Sequence, residues 1–156
     1  MMNKLKYFIL ITSMLALTAC SSLRGGKYEY TGVQNITVNV KTPEGYDVLL
    51  GVNRMDEKCL FYYEGGLELK QGINHVSVKP GQLNYLVFVI SKDSLLKGKF
   101  TIEEGTVLKA VNGQKYEFDI NYADSMYDIR MYKKSGKRRK QMKVVHHSQL
   151  KICKSK

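Results

Sequence analysis

"TVLKAVNGQKYEFDINY", residues 106–122, decides the fold class. Two runs alternate apolar and polar side chains with the period of two that a strand requires, and Asn112-Gly113 stands between them. Asn-Gly tolerates the positive φ values of the tight turns that join adjacent antiparallel strands, so this stretch predicts a β-hairpin. Tyr116, Phe118, Ile120 and Tyr122 would line the core face. Glu117, Asp119 and Asn121 would form the polar exterior of a sheet, within reach of Asp128 or Arg130 on the next strand.

The same period extends in both directions. Upstream lie "NITVNV" (35–40), "YDVLLGV" (46–52), "CLFYY" (59–63, broken by an "EGG" turn), "INHVSV" (73–78), "LNYLVFVI" (83–90) and "KFTIEE" (99–104). "LNYLVFVI" is apolar on both faces and predicts a central strand. Downstream, "ADS" turns into "MYDIRMY" (126–132). Short strands at this spacing, with long helical periodicity missing, predict an all-β sandwich or barrel of about seven to eight strands.

Charge divides the chain sharply. Residues 130–156 carry 11 Lys or Arg and no Asp or Glu, whereas residues 20–129 carry 12 basic and 14 acidic residues. A near-neutral body with a cationic end points to an interaction tail. Its densest part is "YKKSGKRRKQMK" (132–143), with Lys133, Lys134, Lys137, Arg138, Arg139, Lys140 and Lys143 as candidates for contact with an anionic surface. The plain alternative is a solvated block of like charge.

The opening stretch sets the compartment. From Tyr7 to Ala19 the chain is uncharged for 13 residues after Lys4 and Lys6, too short for a bilayer that needs about 20. A basic start, a short apolar centre and small residues at its end match a secretory signal. Leu17-Thr18-Ala19-Cys20 resembles the lipobox of bacterial lipoproteins. The resemblance implies cleavage before Cys20 and acylation of its sulfur. Ser21 in the next position implies sorting to the outer membrane. Several acyl chains would anchor the protein without any part of it spanning. The expected organisation is a signal peptide (1–19), a lipidated tether (20–27), a β-sandwich (28–133) and a basic tail (134–156).

Outside the cytoplasm Cys59 and Cys153 are a candidate disulfide, and closing so long a loop contributes about 4.7 kcal/mol on the chain-entropy model. The alternative is two separate thiols. A further resemblance rests on "VSVKPGQLNYLVFVI" and "FTIEEGTVLKAVNGQKYEFDINY": these are similar to the last strands of transthyretin-like domains of small bacterial lipoproteins. It implies a sandwich, of transthyretin-like or immunoglobulin-like kind, rather than a closed barrel, and transfers no functional residue.

Other constellations are weak. His146 and His147 are adjacent, so on a strand spanning 143–153 they would point apart, and zinc wants three or four converging ligands. Glu103 and Glu104 face apart for the same reason. No phosphate loop, nucleophile elbow, H-E-x-x-H helix or dinucleotide fingerprint is present. Tyr62, Tyr63 and Tyr85 are candidate stacking surfaces for a sugar or a protein. The resulting expectation is a non-enzymatic, cofactor-free envelope protein. Its partners would be the membrane through Cys20, an anionic glycolipid, phospholipid or wall polymer, and an envelope protein; export disfavours nucleic acid. The alternative is an inhibitor, immunity-type or secretion-accessory lipoprotein.

Overall fold

The computed structural model describes residues 26–94 and 98–150. These residues form a two-layer β-sandwich of nine strands. The strands are β1 (Ile36–Lys41), β2 (Asp47–Met55), β3 (Phe61–Leu69), β4 (Gly72–Val76), β5 (Leu83–Ser94), β6 (Gly98–Lys109), β7 (Lys115–Ala123), β8 (Met126–Ser135) and β9 (Arg138–Met142). One sheet has the order β3-β2-β5-β6 and the other β4-β1-β7-β8-β9. All neighbours are antiparallel except β1 and β7.

Alternation places the core between the sheets. Val38, Val40, Phe118 and Ile120 of one sheet meet Val48, Leu50, Leu86, Phe88 and Ile90 of the other, all buried. Phe88 and Phe118 meet at a 5.4 Å centroid distance near the middle, the tilted arrangement that aromatic pairs prefer. The doubly apolar β5 is central, paired to β2 and β6.

The expected Asn112-Gly113 hairpin does not form. The turn is there, closed by the Gln114 N–H donating to the Val111 carbonyl at 3.1 Å, but β6 and β7 belong to opposite sheets. Gly113 has φ +73, while Asn112 is not in the positive-φ region. That sign pattern belongs to type II, which splays the flanking strands instead of matching their twist. Here the splay carries the chain across the core. The turn with positive φ at both central residues is Asp124-Ser125, at φ 53 and 62, and it joins β7 to β8 within one sheet.

Two further departures shape the edges. "EGG" is no turn: β3 runs through it, with a bulge opposite Val52–Asn53. Gly65 has φ +138, and a Cβ there would lie 2.5 Å from the Tyr28 backbone. This close approach admits Gly26–Tyr28, whose backbone bonds to Gly66, so the tether expected through residue 27 is already docked at Gly26. At the opposite edge the basic segment supplies a ninth strand. β8 runs on to Ser135, Gly136 turns at φ 57, and β9 follows, so a boundary at 133/134 falls inside a hairpin. Residues 143–146 then cross to the other sheet, and His147–Gln149 form a 3₁₀ turn where one more strand was expected.

The loops sort into two ends. One holds the approach to β1 and the β2–β3, β4–β5, β6–β7 and β8–β9 connections; the other holds the β1–β2, β3–β4, β5–β6 and β7–β8 connections.

Candidate anion-binding hairpin

The β8–β9 hairpin divides its cations by the pleat. Lys134 pairs with Arg139 and points outward with Tyr132. Lys133 pairs with Lys140, and Ser135 with Arg138, on the side that carries Met131 and Met142. Met131 is buried and Met142 packs on the core. Lys133, Arg138 and Lys140 extend that row past the core's end into solvent, and all three are exposed.

The outward cations are neutralised. Arg139 Nη2 lies 3.0 Å from Glu117 Oε1 and 2.7 Å from Asp119 Oδ2, and Lys134 Nζ lies 3.6 Å from Glu117 Oε2. The guanidinium also sits 3.9 Å from the Tyr132 ring centroid. The hydrogen bond to Asp119, and then the charges of Asp119 and Glu117, raise the Arg139 pKa further, so the charge is permanent. As the sequence suggested, Arg130 stands opposite Asp119 and Asp128 opposite Asn121; Arg130 pairs with Asp128 at 2.7 Å on its own strand, and Arg139 of β9 reaches Asp119 as well. β7 and β8 alternation reveals the acids, Tyr132 and Lys134; the register that brings Arg139 over them depends on a hairpin the sequence reading did not contain.

The other face has no such partners. Lys133, Lys137, Arg138, Lys140 and Lys143 form no ion pair among the described residues. Lys133 and Lys140 are direct cross-strand neighbours of like charge, an arrangement that destabilises an antiparallel pair. Lys133, Lys140 and Arg138 share one side of the hairpin and carry the point-charge and forked donors that suit phosphate or carboxylate oxygens.

The remaining candidates fall elsewhere. Cys20 and Cys153 lie outside the described residues, and so does the signal segment. Cys59 sits half-buried in the β2–β3 loop at φ 62. That loop is organised by Asp56, whose carboxylate accepts from the Lys58 and Leu60 N–H groups at 2.8 and 2.9 Å. The backbone bond from Leu60 leads in holding the Asp56 pKa below its ordinary value. Tyr62 and Tyr63 are exposed, and Tyr85 packs against Phe61 at 4.9 Å and His146 at 5.9 Å. His146 Nδ1 is 2.8 Å from Ser148 Oγ. Among the described residues no three His, Cys, Asp or Glu side chains converge as metal ligands, and no helix is long and apolar enough to cross a membrane.

The fold and the hairpin thus define a β-sandwich with a one-sided cationic strand pair. Comparison with protein-family models, curated proteins and solved structures finds no match to this chain.

Proposed function

We propose that the chain is a lipid-anchored envelope protein, cleaved after residue 19 and acylated at Cys20, whose sandwich works without catalysis as a binding or scaffold module on the periplasmic side of the outer membrane. The β8–β9 hairpin contacts an anionic component of the envelope through Lys133, Arg138 and Lys140, with Lys137 and Lys143 adding to the field. One observation carries the reading: the acids that neutralise Lys134 and Arg139 leave the opposite face of the same two strands without counter-ions.

A Cys59–Cys153 disulfide is part of the proposal. The chain bonds to β6 at Val145, and His146 lies against Tyr85, which lies against Phe61, two residues from Cys59. At His146 the described chain thus lies near the β2–β3 loop that holds Cys59, which supports the bridge. A mass gain of two protons on reduction, mapped to these cysteines, is expected; two free thiols in protein isolated from the envelope would remove the bridge.

Labelled palmitate should enter the wild-type chain and not Cys20→Ala. Changing Lys133, Arg138 and Lys140 together to Gln should weaken partition onto anionic vesicles by roughly 100-fold, at about 1 kcal/mol per basic residue near the surface. Unchanged partition at physiological salt would sink the electrostatic role. The exposed run Phe61, Tyr62 and Tyr63 favours a second reading, an inhibitor or secretion-accessory role toward an envelope protein. Stoichiometric capture of one such protein, insensitive to the hairpin changes, would select it.

A further inference from the structure

We infer that the whole loop end shared by the β8–β9 hairpin, and not the hairpin alone, is a docking face for a bilayer containing anionic phospholipid. The inference rests on the anionic contact proposed above and adds the face, the lipid and the orientation.

The topology assembles this end from segments far apart in the chain. Lys79 lies in the β4–β5 loop and Lys109 and Lys115 flank the β6–β7 turn, all exposed, while the β2–β3 loop sets the exposed Lys58 beside Asp56 and Glu57. The β8–β9 turn adds Lys137 and Arg138 at the same end. The opposite end mixes both signs in its loops and strand tips: Glu44, Asp47, Glu68, Asp93 and Asp124 stand with Lys41, Lys70, Lys92 and Lys99, and Asp128 is paired with Arg130. One end is thus strongly cationic and the other near balance, so an anionic plane attracts the first end more strongly.

Three apolar side chains distinguish a bilayer from a soluble polyanion or a wall polymer. Val33 is 83% exposed in the approach to β1, Leu60 51% in the β2–β3 loop and Val111 56% in the β6–β7 turn. Gly32, next to Val33, is held at this end by the Ser77 hydroxyl donating to its carbonyl at 2.7 Å. Each of the three sits on a loop of the cationic end. Apolar tips on the loops of a net-cationic end match a headgroup layer with hydrocarbon beneath it, which a polysaccharide or peptide wall does not offer.

The proposed tether permits the pose without choosing it. The six steps from Cys20 to Gly26 span up to about 20 Å when extended, and the five steps of β3 from Gly66, where Gly26 docks, to Phe61 at this end span about 17 Å. Reach is sufficient, so the orientation is set by charge, since the opposite end also exposes apolar side chains in Ile73 and Met126.

The chain contains no Trp, so a single introduced Trp reports one position cleanly. Full-length Val111→Trp and Leu60→Trp would be compared with Met126→Trp, a 69% exposed site at the opposite end. Each protein is reconstituted with phosphatidylglycerol–phosphatidylcholine vesicles containing brominated acyl chains. The expected result is blue-shifted, strongly quenched emission at 111 and 60, solvent-like emission at 126, and loss of the contrast in pure phosphatidylcholine. Quenching at 126 equal to that at 111, or emission at 111 that stays solvent-like on vesicle-bound protein, overturns the inference. So does a contrast that persists without phosphatidylglycerol. Failure of palmitate labelling bears on anchoring alone, because the emission of bound protein reads only which end faces the lipid.

Discussion

Each edge of the β3-β2-β5-β6 sheet is covered at one point by a chain end, and the two contacts differ in what accompanies their backbone hydrogen bonds. At the β3 edge, Gly26–Tyr28 lies so close to Gly65 that no side chain fits between, and Tyr28 is buried. At the β6 edge, Val145 is held by hydrogen bonds: the Val107 N–H donates to its carbonyl at 2.9 Å, and its N–H donates to Thr106 Oγ1 at 3.0 Å. The first seal combines two backbone hydrogen bonds at Gly66 with a close approach at Gly65 and the burial of Tyr28, and the second is polar, local and next to a strand of cations. An edge left bare would offer unpaired N–H and C=O groups to other chains, and sealing both leaves charged β9 and short β4 as the borders of the other sheet.

The sharpest way to break this comparison is at Gly65. Gly65→Ala combines a positive φ with a backbone clash, and should cost about 3 kcal/mol or more, read as a lowered denaturation midpoint with early proteolysis near residue 26. An unchanged midpoint would show that the N-terminal seal contributes little. Thr106→Val tests the opposite edge. It leaves the Val145 N–H without its acceptor, so a loss of about 1–2 kcal/mol is expected, with hydrogen exchange rising at Val145 while Gly66 stays protected. Equal rises at both edges would mean that the seals act as one unit.

Smaller effects sharpen the view of the β9 border. A double-mutant cycle on Glu117→Gln and Arg139→Gln should return about 0.5–1 kcal/mol of coupling by urea denaturation, since both groups keep some solvent contact. Vesicle partition should not fall in Glu117→Gln, which frees positive charge. The smallest effect is a pH dependence at the β2–β3 loop beside the N-terminal seal. The Asp56 pKa is lowered on folding, so its stabilising contribution is complete above the ordinary aspartate value of about 3.9 and disappears as pH falls through the lower folded value. Amide shifts of Lys58 and Leu60 should titrate in that acidic window while that of Val107 does not.

Much of this molecule is legible along the chain. Alternation in "NITVNV", "LNYLVFVI" and "KYEFDINY" reports strand and core face directly, because a strand places successive side chains on opposite sides whatever it pairs with. The separation of a near-neutral body from a basic end is equally plain. Asn112-Gly113 marks where the chain reverses, since the positive φ at the third turn position favours glycine.

Tertiary structure alone decided which strands pair across those reversals. One residue's φ at position 112 separates a hairpin from a crossing between sheets, and the burial of both β6 and β7 against the same core selects the crossing. Tertiary pairing also decided that Glu117 and Asp119 meet Arg139 and Lys134, and that lysines scattered from 58 to 137 share one end. Such proximities depend on register and sheet order, long-range properties in which each segment's partner is chosen by the whole core rather than by its own side chains.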